Sequence, residues 1–246
     1  MLDAPTGLIS FSLDEAIELS WSSNARTSAP DLFSYYAVYS TSYDLDHGVC
    51  GSSWVLEGTT VSEDFIASGL PNGVPRCFAV SAINTSGIES DWSASRYDTP
   101  RYDSRNIVVY AQQVSLARSG FKFYDPSSGY LGLVLSGDRT DVDFYVDRDV
   151  DGTMWLVPVR TGTEVAFYGT EPVADLTSID VAPLNGFDVT AVEAAPGYGY
   201  VFEMDEPDGL HFGGVRVTHV GQDFVILDWS YQSDPGNPEL RVVAQR

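Results

Sequence analysis

The stretch DVDFYVDRDVDGTMWLVPV, residues 141–159, decides the fold. An alternating run with aromatic residues breaks at Asp147-Arg148-Asp149-Val150-Asp151-Gly152 and resumes as an apolar run. Alternation with a period of two marks a half-buried strand, and Asp and Gly favour turns. The stretch therefore reads as strand, acidic tip, strand.

The same grammar runs outward along the chain. Short β-branched and aromatic runs separated by Gly, Pro, Asn, Asp and Ser recur throughout, and helix signals are scarce. Strands are expected near IELSW, YYAVYST, RCFAVSAI, NIVVYAQQV, GFKFYD, LGLVLS, DFYVD, TMWLVPV, EVAFYG, GYVFEM, GVRVTHV, DFVILDWSYQ and ELRVVAQ. In DFVILDWSYQ the set Val225, Leu227, Trp229 and Tyr231 is uniformly apolar and is the expected core face. The fold class is all-β.

The 246 residues allow one large β domain or two ordinary ones. RYDTPRYDSRN, residues 96–106, is polar and contains proline, so it reads as a short linker between a domain at 1–100 and a C-terminal all-β domain at 101–246. The net charge is −22, from 35 acidic and 13 basic residues, and Lys122 is the only lysine. Such a surface lacks the basic footprint that nucleic acid or an anionic membrane requires. No apolar run is long enough to span a membrane as a helix, and MLDAPTGLIS lacks the regions of a signal peptide, as would a chain whose export signal had been removed. Cys50 and Cys77 have no metal-ligand spacing; they are either a pair in an oxidising compartment or two buried thiols.

The first hundred residues resemble a bacterial fibronectin type III domain. APTGLISFSLDEAIELSW is similar to its first two strands, with Trp21 as the core tryptophan, and LFSYYAVYSTS to its third. In LPNGVPRCFAVSAINTSGIESDWS, the residues Leu70, Asn72, Gly73, Phe78, Val80, Ala82, Asn84, Gly87, Glu89 and Ser90 match the family's pattern. Arg76 and Cys77 stand where an aromatic pair is usual, so the tyrosine corner is missing. The resemblance implies a β-sandwich, with a Cys50–Cys77 disulfide in place of that lock. It also implies a module that presents its neighbour rather than performing chemistry. The second domain is expected to be an antiparallel β-sandwich or barrel. Its closing text, DGLHFGGVRVTHVGQDFVILDWSYQSDPGNPEL, is similar to haem-scavenging surface lipoproteins of the HmuY type.

Asp147, Asp149 and Asp151 with Gly152 follow the D-x-D-x-D-G pattern of calcium loops, and Asp143 or Asp141 is the candidate to complete a structural Ca2+ shell. The twelfth position is Pro158, so this is not an EF-hand. His211 and His219, eight residues apart, lie about 26 Å apart on a straight strand and share a ligand only if Gly213-Gly214 turns sharply. His47 lies near Asp44 and Asp46 in a loop. Trp155, Tyr198, Tyr200, Trp229 and Tyr231 are either core or a binding face. No nucleophile elbow, zinc helix or phosphate loop is present, so no catalytic residue is expected. The expected function is that of an exported, non-catalytic surface protein for adhesion or ligand binding. Its alternatives are a self-assembling structural subunit and a haem- or glycan-binding lipoprotein.

Overall fold

The structure is a computed structural model and describes residues 1–44 and 47–240. Asp46 and most of the expected ELRVVAQ strand lie outside the described residues. The chain forms two compact units, Met1–Pro100 and Arg101–Leu240.

In the first unit the strands are β1 (Ile9–Leu13), β2 (Ala16–Ser20), β3 (Phe33–Asp44), β4 (Val49–Cys50), β5 (Val55–Thr60), β6 (Asp64–Ser68), β7 (Arg76–Asn84) and β8 (Arg96–Asp98). One sheet runs β1-β2-β6 and the other β4-β3-β7-β8, with β5 also paired to β3. This is the fibronectin type III-like sandwich. Alternation sets its core: Ile17 and Leu19 of β2, Tyr36 and Val38 of β3, and Phe78, Val80 and Ala82 of β7 share one buried cluster. Trp21 meets Tyr36 edge-on, with ring centroids 5.3 Å apart. Full burial of such side chains stabilises by about 1.5–3 kcal/mol each relative to exposure.

The expected linker is corrected here. Residues 96–98 form β8, paired to β7, and residues 102–106 open the first strand of the second unit. Arg96 and Asp98 are buried, yet their polar groups are met: Arg96 Nε donates to Ser10 Oγ at 3.1 Å, and Ser12 Oγ donates to the Asp98 carboxylate. Polar residues buried with partners cost little, which is why polarity alone misread the segment. Ser10 and Ser12 supply those partners from β1.

The second unit contains β9 (Tyr102–Tyr110), β10 (Gly120–Asp125), β11 (Tyr130–Leu135), β12 (Phe144–Arg148), β13 (Met154–Pro158), β14 (Thr163–Tyr168), β15 (Val192–Glu193), β16 (Gly199–Glu206), β17 (Gly209–Val220) and β18 (Phe224–Gln232). They build two five-stranded antiparallel sheets, β11-β10-β12-β13-β15 and β14-β16-β17-β18-β9. The choice between sandwich and barrel is settled as a sandwich. Its core joins Phe121, Phe123 and Phe144 of one sheet to Phe202, Trp229 and Tyr231 of the other. Phe144 stacks on Phe202 at 4.7 Å between ring centroids. The apolar set of β18 faces inward as its alternation requires, with Val225 and Leu227 fully buried.

Gly213 of β17 makes room for that packing, because a Cβ there would lie 2.6 Å from the Phe123 ring. Gly213→Ala is expected to cost about 2 kcal/mol through overpacking, read as a lower urea midpoint with an unchanged slope. A second small cluster lies on residues flanking this core. The connection between β14 and β15 carries a short 3-10 helix, Leu176–Ser178, capped by Asp175. Its Leu176, Ile179 and Ala182 pack with Val201 and Phe212.

Candidate functional site

The acidic stretch is a hairpin. Register pairs Arg148 with Met154, Asp149 N–H donates to the Thr153 carbonyl at 2.8 Å, and Gly152 takes φ +93° at the tip. Each tip carboxylate serves a local bond. Asp147 accepts from Gln113 Nε2, Asp149 from the Val150 amide, and Asp151 from the Thr153 amide at 3.0 Å. That last bond leads the effects holding the Asp151 carboxyl below its usual range.

Asp143 belongs elsewhere, which corrects its grouping with the turn. It precedes β12, and four strand residues place it about 13 Å from Asp147. It is 1% exposed and accepts from Arg160 Nε at 2.9 Å and from the Phe123 amide at 2.7 Å. Among the described residues, no three His, Cys, Asp or Glu side chains are arranged to hold a metal ion.

His211 and His219 sit on the single strand β17, paired across to β18 on both sides of Gly213-Gly214, so the sharp turn they would need to share a ligand is not there. His47 Nδ1 lies 2.8 Å from the Asp44 carboxylate. Tyr200 and Trp229 are core residues, and Trp155 and Tyr198 are half-buried. The sulfurs of Cys50 and Cys77 lie at bonding distance, 2.00 Å, joining β4 to the start of β7. Beside that bridge, Arg76 pairs with Glu57 at 3.1 Å.

The chemistry gathers in a cleft of about 480 Å³ at one rim of the second sandwich, lined by Tyr102, Tyr124, Glu206, Asp208, His211 and Tyr231 with Pro126, Pro207 and Ser233. Strand ends build it. Tyr102 opens β9, Tyr124 is near the end of β10, Tyr231 is near the end of β18, and Glu206–Gly209 is the turn from β16 to β17. The rings are near-parallel: Tyr124 lies 5.9 Å from Tyr231 at 22°, and His211 lies 5.5 Å from Tyr231 at 15°. Together they make an aromatic shelf.

The cleft is acidic. Its lining includes Glu206 and Asp208 and no Lys or Arg among the described residues. Arg160 holds Glu206 at 2.9 Å while it also binds Asp143. Tyr231 is 2% exposed as a residue, lines the cleft, and makes no hydrogen bond through its hydroxyl to a described residue. Burial, together with the nearby carboxylates of Glu206, Asp143 and Asp208, pushes that phenol far above its usual range, so it remains a proton donor.

His211 Nδ1 faces the Gln232 carbonyl at 3.1 Å and Nε2 faces Asp208 at 3.2 Å. A carbonyl and a carboxylate both accept, so each ring nitrogen faces an acceptor. Both ring nitrogens are engaged, and neither serves Ser233 as a general base. The arrangement suits holding a ligand rather than activating a nucleophile. The sequence does not reveal it, because Tyr102, Tyr124 and Tyr231 are far apart in the chain and no local spacing joins them.

No protein-family model and no curated protein matches the chain. Among solved structures, the Fn3-like protein from Clostridium thermocellum is 22% identical over 41% of this chain and 93% of its own, with a TM-score of 0.31. The FN5 domain of Drosophila Lar is 17% identical over 41% and 97%, with a TM-score of 0.32. A DUF4466 family protein from Parabacteroides merdae is 9% identical over 94% and 99%, with a TM-score of 0.43. Sheet order and rim cleft define the class: an all-β protein whose fibronectin type III-like unit is followed by a second β-sandwich. No helix among the described residues is long and apolar enough to cross a membrane.

Proposed function

We propose that this is a non-catalytic protein of the cell surface or extracellular space, in which the fibronectin-like unit presents the second sandwich and the rim cleft holds a ligand. One observation carries the reading. A concave site of about 480 Å³ combines near-parallel aromatic rings with the Tyr231 hydroxyl, which makes no hydrogen bond to a described residue. Ligand sites are typically concave, largely apolar and set with few polar groups. The engaged nitrogens of His211 argue against hydrolysis at Ser233.

Tyr102→Ala/Tyr124→Ala removes two half-buried walls at strand ends and leaves the fully buried core residues in place. The double variant is expected to lose at least tenfold in affinity for any cleft ligand while keeping its circular dichroism and a cooperative unfolding transition. Isothermal titration against extracellular peptides and glycans checks the first expectation, and urea unfolding the second. Unchanged affinity in the double variant rejects the cleft as the site. Ordered oligomers on a sizing column without any ligand favour the self-assembling subunit instead.

A further inference from the structure

We propose that the cleft selects a planar organic cation on an apolar stem, the group an arginine side chain carries. This rests on the reading of the cleft as a ligand site and goes on to name the ligand's chemistry. Three observations converge on it.

The first is charge. Glu206 and Asp208 line the cleft and Asp143 lies behind it, against the single guanidinium of Arg160. Three carboxylates face one guanidinium, and even with the His211 ring beside Asp208 counted as a cation, negative charge remains in excess. A cationic ligand relieves that imbalance, and a phosphate or sulfate ester worsens it.

The second is shape. Tyr124 lies at 22° to Tyr231 and His211 at 15° to it, and the half-buried Tyr102 and Tyr124 keep aromatic surface in the lining, against which a flat guanidinium stacks. An ammonium is a compact, strongly hydrated point charge and gains less from such a surface.

The third is the Tyr231 hydroxyl, on a side chain that is buried yet lines the cleft, with no hydrogen bond to a described residue. Its oxygen is available to accept one guanidinium N–H. Asp208, 68% exposed at its side chain, is placed at the lip to accept others, and Glu206 adds its charge further in. Pro126 and Pro207, which also line the cleft, give a stem of methylenes apolar surface to pack on.

The probe is N-acetyl-arginine methylamide, with N-acetyl-citrulline methylamide as the uncharged isostere and glucose as a neutral polyol. Binding to the intact chain is followed by amide and side-chain NMR shifts. The arginine probe is expected to shift resonances of Tyr124, His211 and Tyr231 saturably. Citrulline is expected to bind at least tenfold more weakly, and Asp208→Asn to weaken the arginine probe several-fold while leaving citrulline unchanged. Affinity should fall as salt is raised.

Equal binding of citrulline, or saturable binding of glucose with none of arginine, overturns the cationic selection and leaves the cleft as a ligand site. Shifts spread over the acidic surface, undiminished in Tyr102→Ala/Tyr124→Ala, also overturn it, since they report counterion attraction to a chain of net charge −22. Failure of every probe to shift cleft resonances removes both the selection and the ligand site.

Discussion

Arg160→Ala is expected to destabilise the second sandwich by about 3–5 kcal/mol at pH 8, the range for stripping one partner from a buried ion pair. Arg160 is the cation beside Asp143, whose side chain is 2% exposed, and the same guanidinium reaches Glu206. Burial already pushes the Asp143 carboxyl up to about 6, outweighing the attraction of Arg160 and the Phe123 amide. A folded value above the unfolded value of about 3.9 means that the native state keeps a proton between those limits that the unfolded chain releases. This group therefore favours folding at acid pH, and its contribution declines as pH rises from about 4 to 6. Removing Arg160 raises the carboxyl further. The deficit against the parent should be largest at pH 8 and clearly smaller at pH 4.5, where Asp143 is protonated in both proteins. Urea unfolding of parent and variant at the two pH values checks this. A deficit that is the same at both would show that lost packing, and not the stranded carboxylate, sets the effect.

Breaking the Cys50–Cys77 bridge is expected to cost about 3–4 kcal/mol, from the chain entropy released to a loop with a sequence separation of 27. Cys77 is fully buried in β7, so Cys50→Ala alone strands a thiol among apolar neighbours and Cys50→Ala/Cys77→Ala leaves a small void. Reduction of the parent avoids both. Denaturant unfolding with and without reductant should show the loss in the parent and no reductant effect in the double variant. A reductant-insensitive parent would mean that the two sulfurs are not joined in solution.

Period-two alternation placed the strands that carry the cores, and Val225, Leu227, Trp229 and Tyr231 were readable as an inward face because every second residue is apolar. The family pattern around Phe78, Val80 and Ala82 gave the first sandwich. Elsewhere local text misled. Arg96–Asp98 reads as linker because its polar side chains are satisfied by serines some eighty residues earlier, a pairing no window can contain. Asp143 reads as part of the acidic turn, although strand extension carries it away and sets it against Arg160. Residues 169–191 carry no strong periodicity, yet Leu176 and Ile179 are fully buried. The cleft was invisible for the same reason: its tyrosines meet only after both sheets are assembled.

The cleft takes Tyr124 from one sheet and Tyr102, His211 and Tyr231 from the other, so a molecule seated there touches both layers of the sandwich at once. Such a ligand has no counterpart site on the unfolded chain, and by mass action its occupancy adds RT ln(1 + [L]/Kd) to the folding free energy, about 2.7 kcal/mol at a hundredfold excess over Kd. Recognition at this rim thus doubles as a clasp between the layers: the protein becomes harder to pull apart or digest while it is holding its ligand than after it has let go.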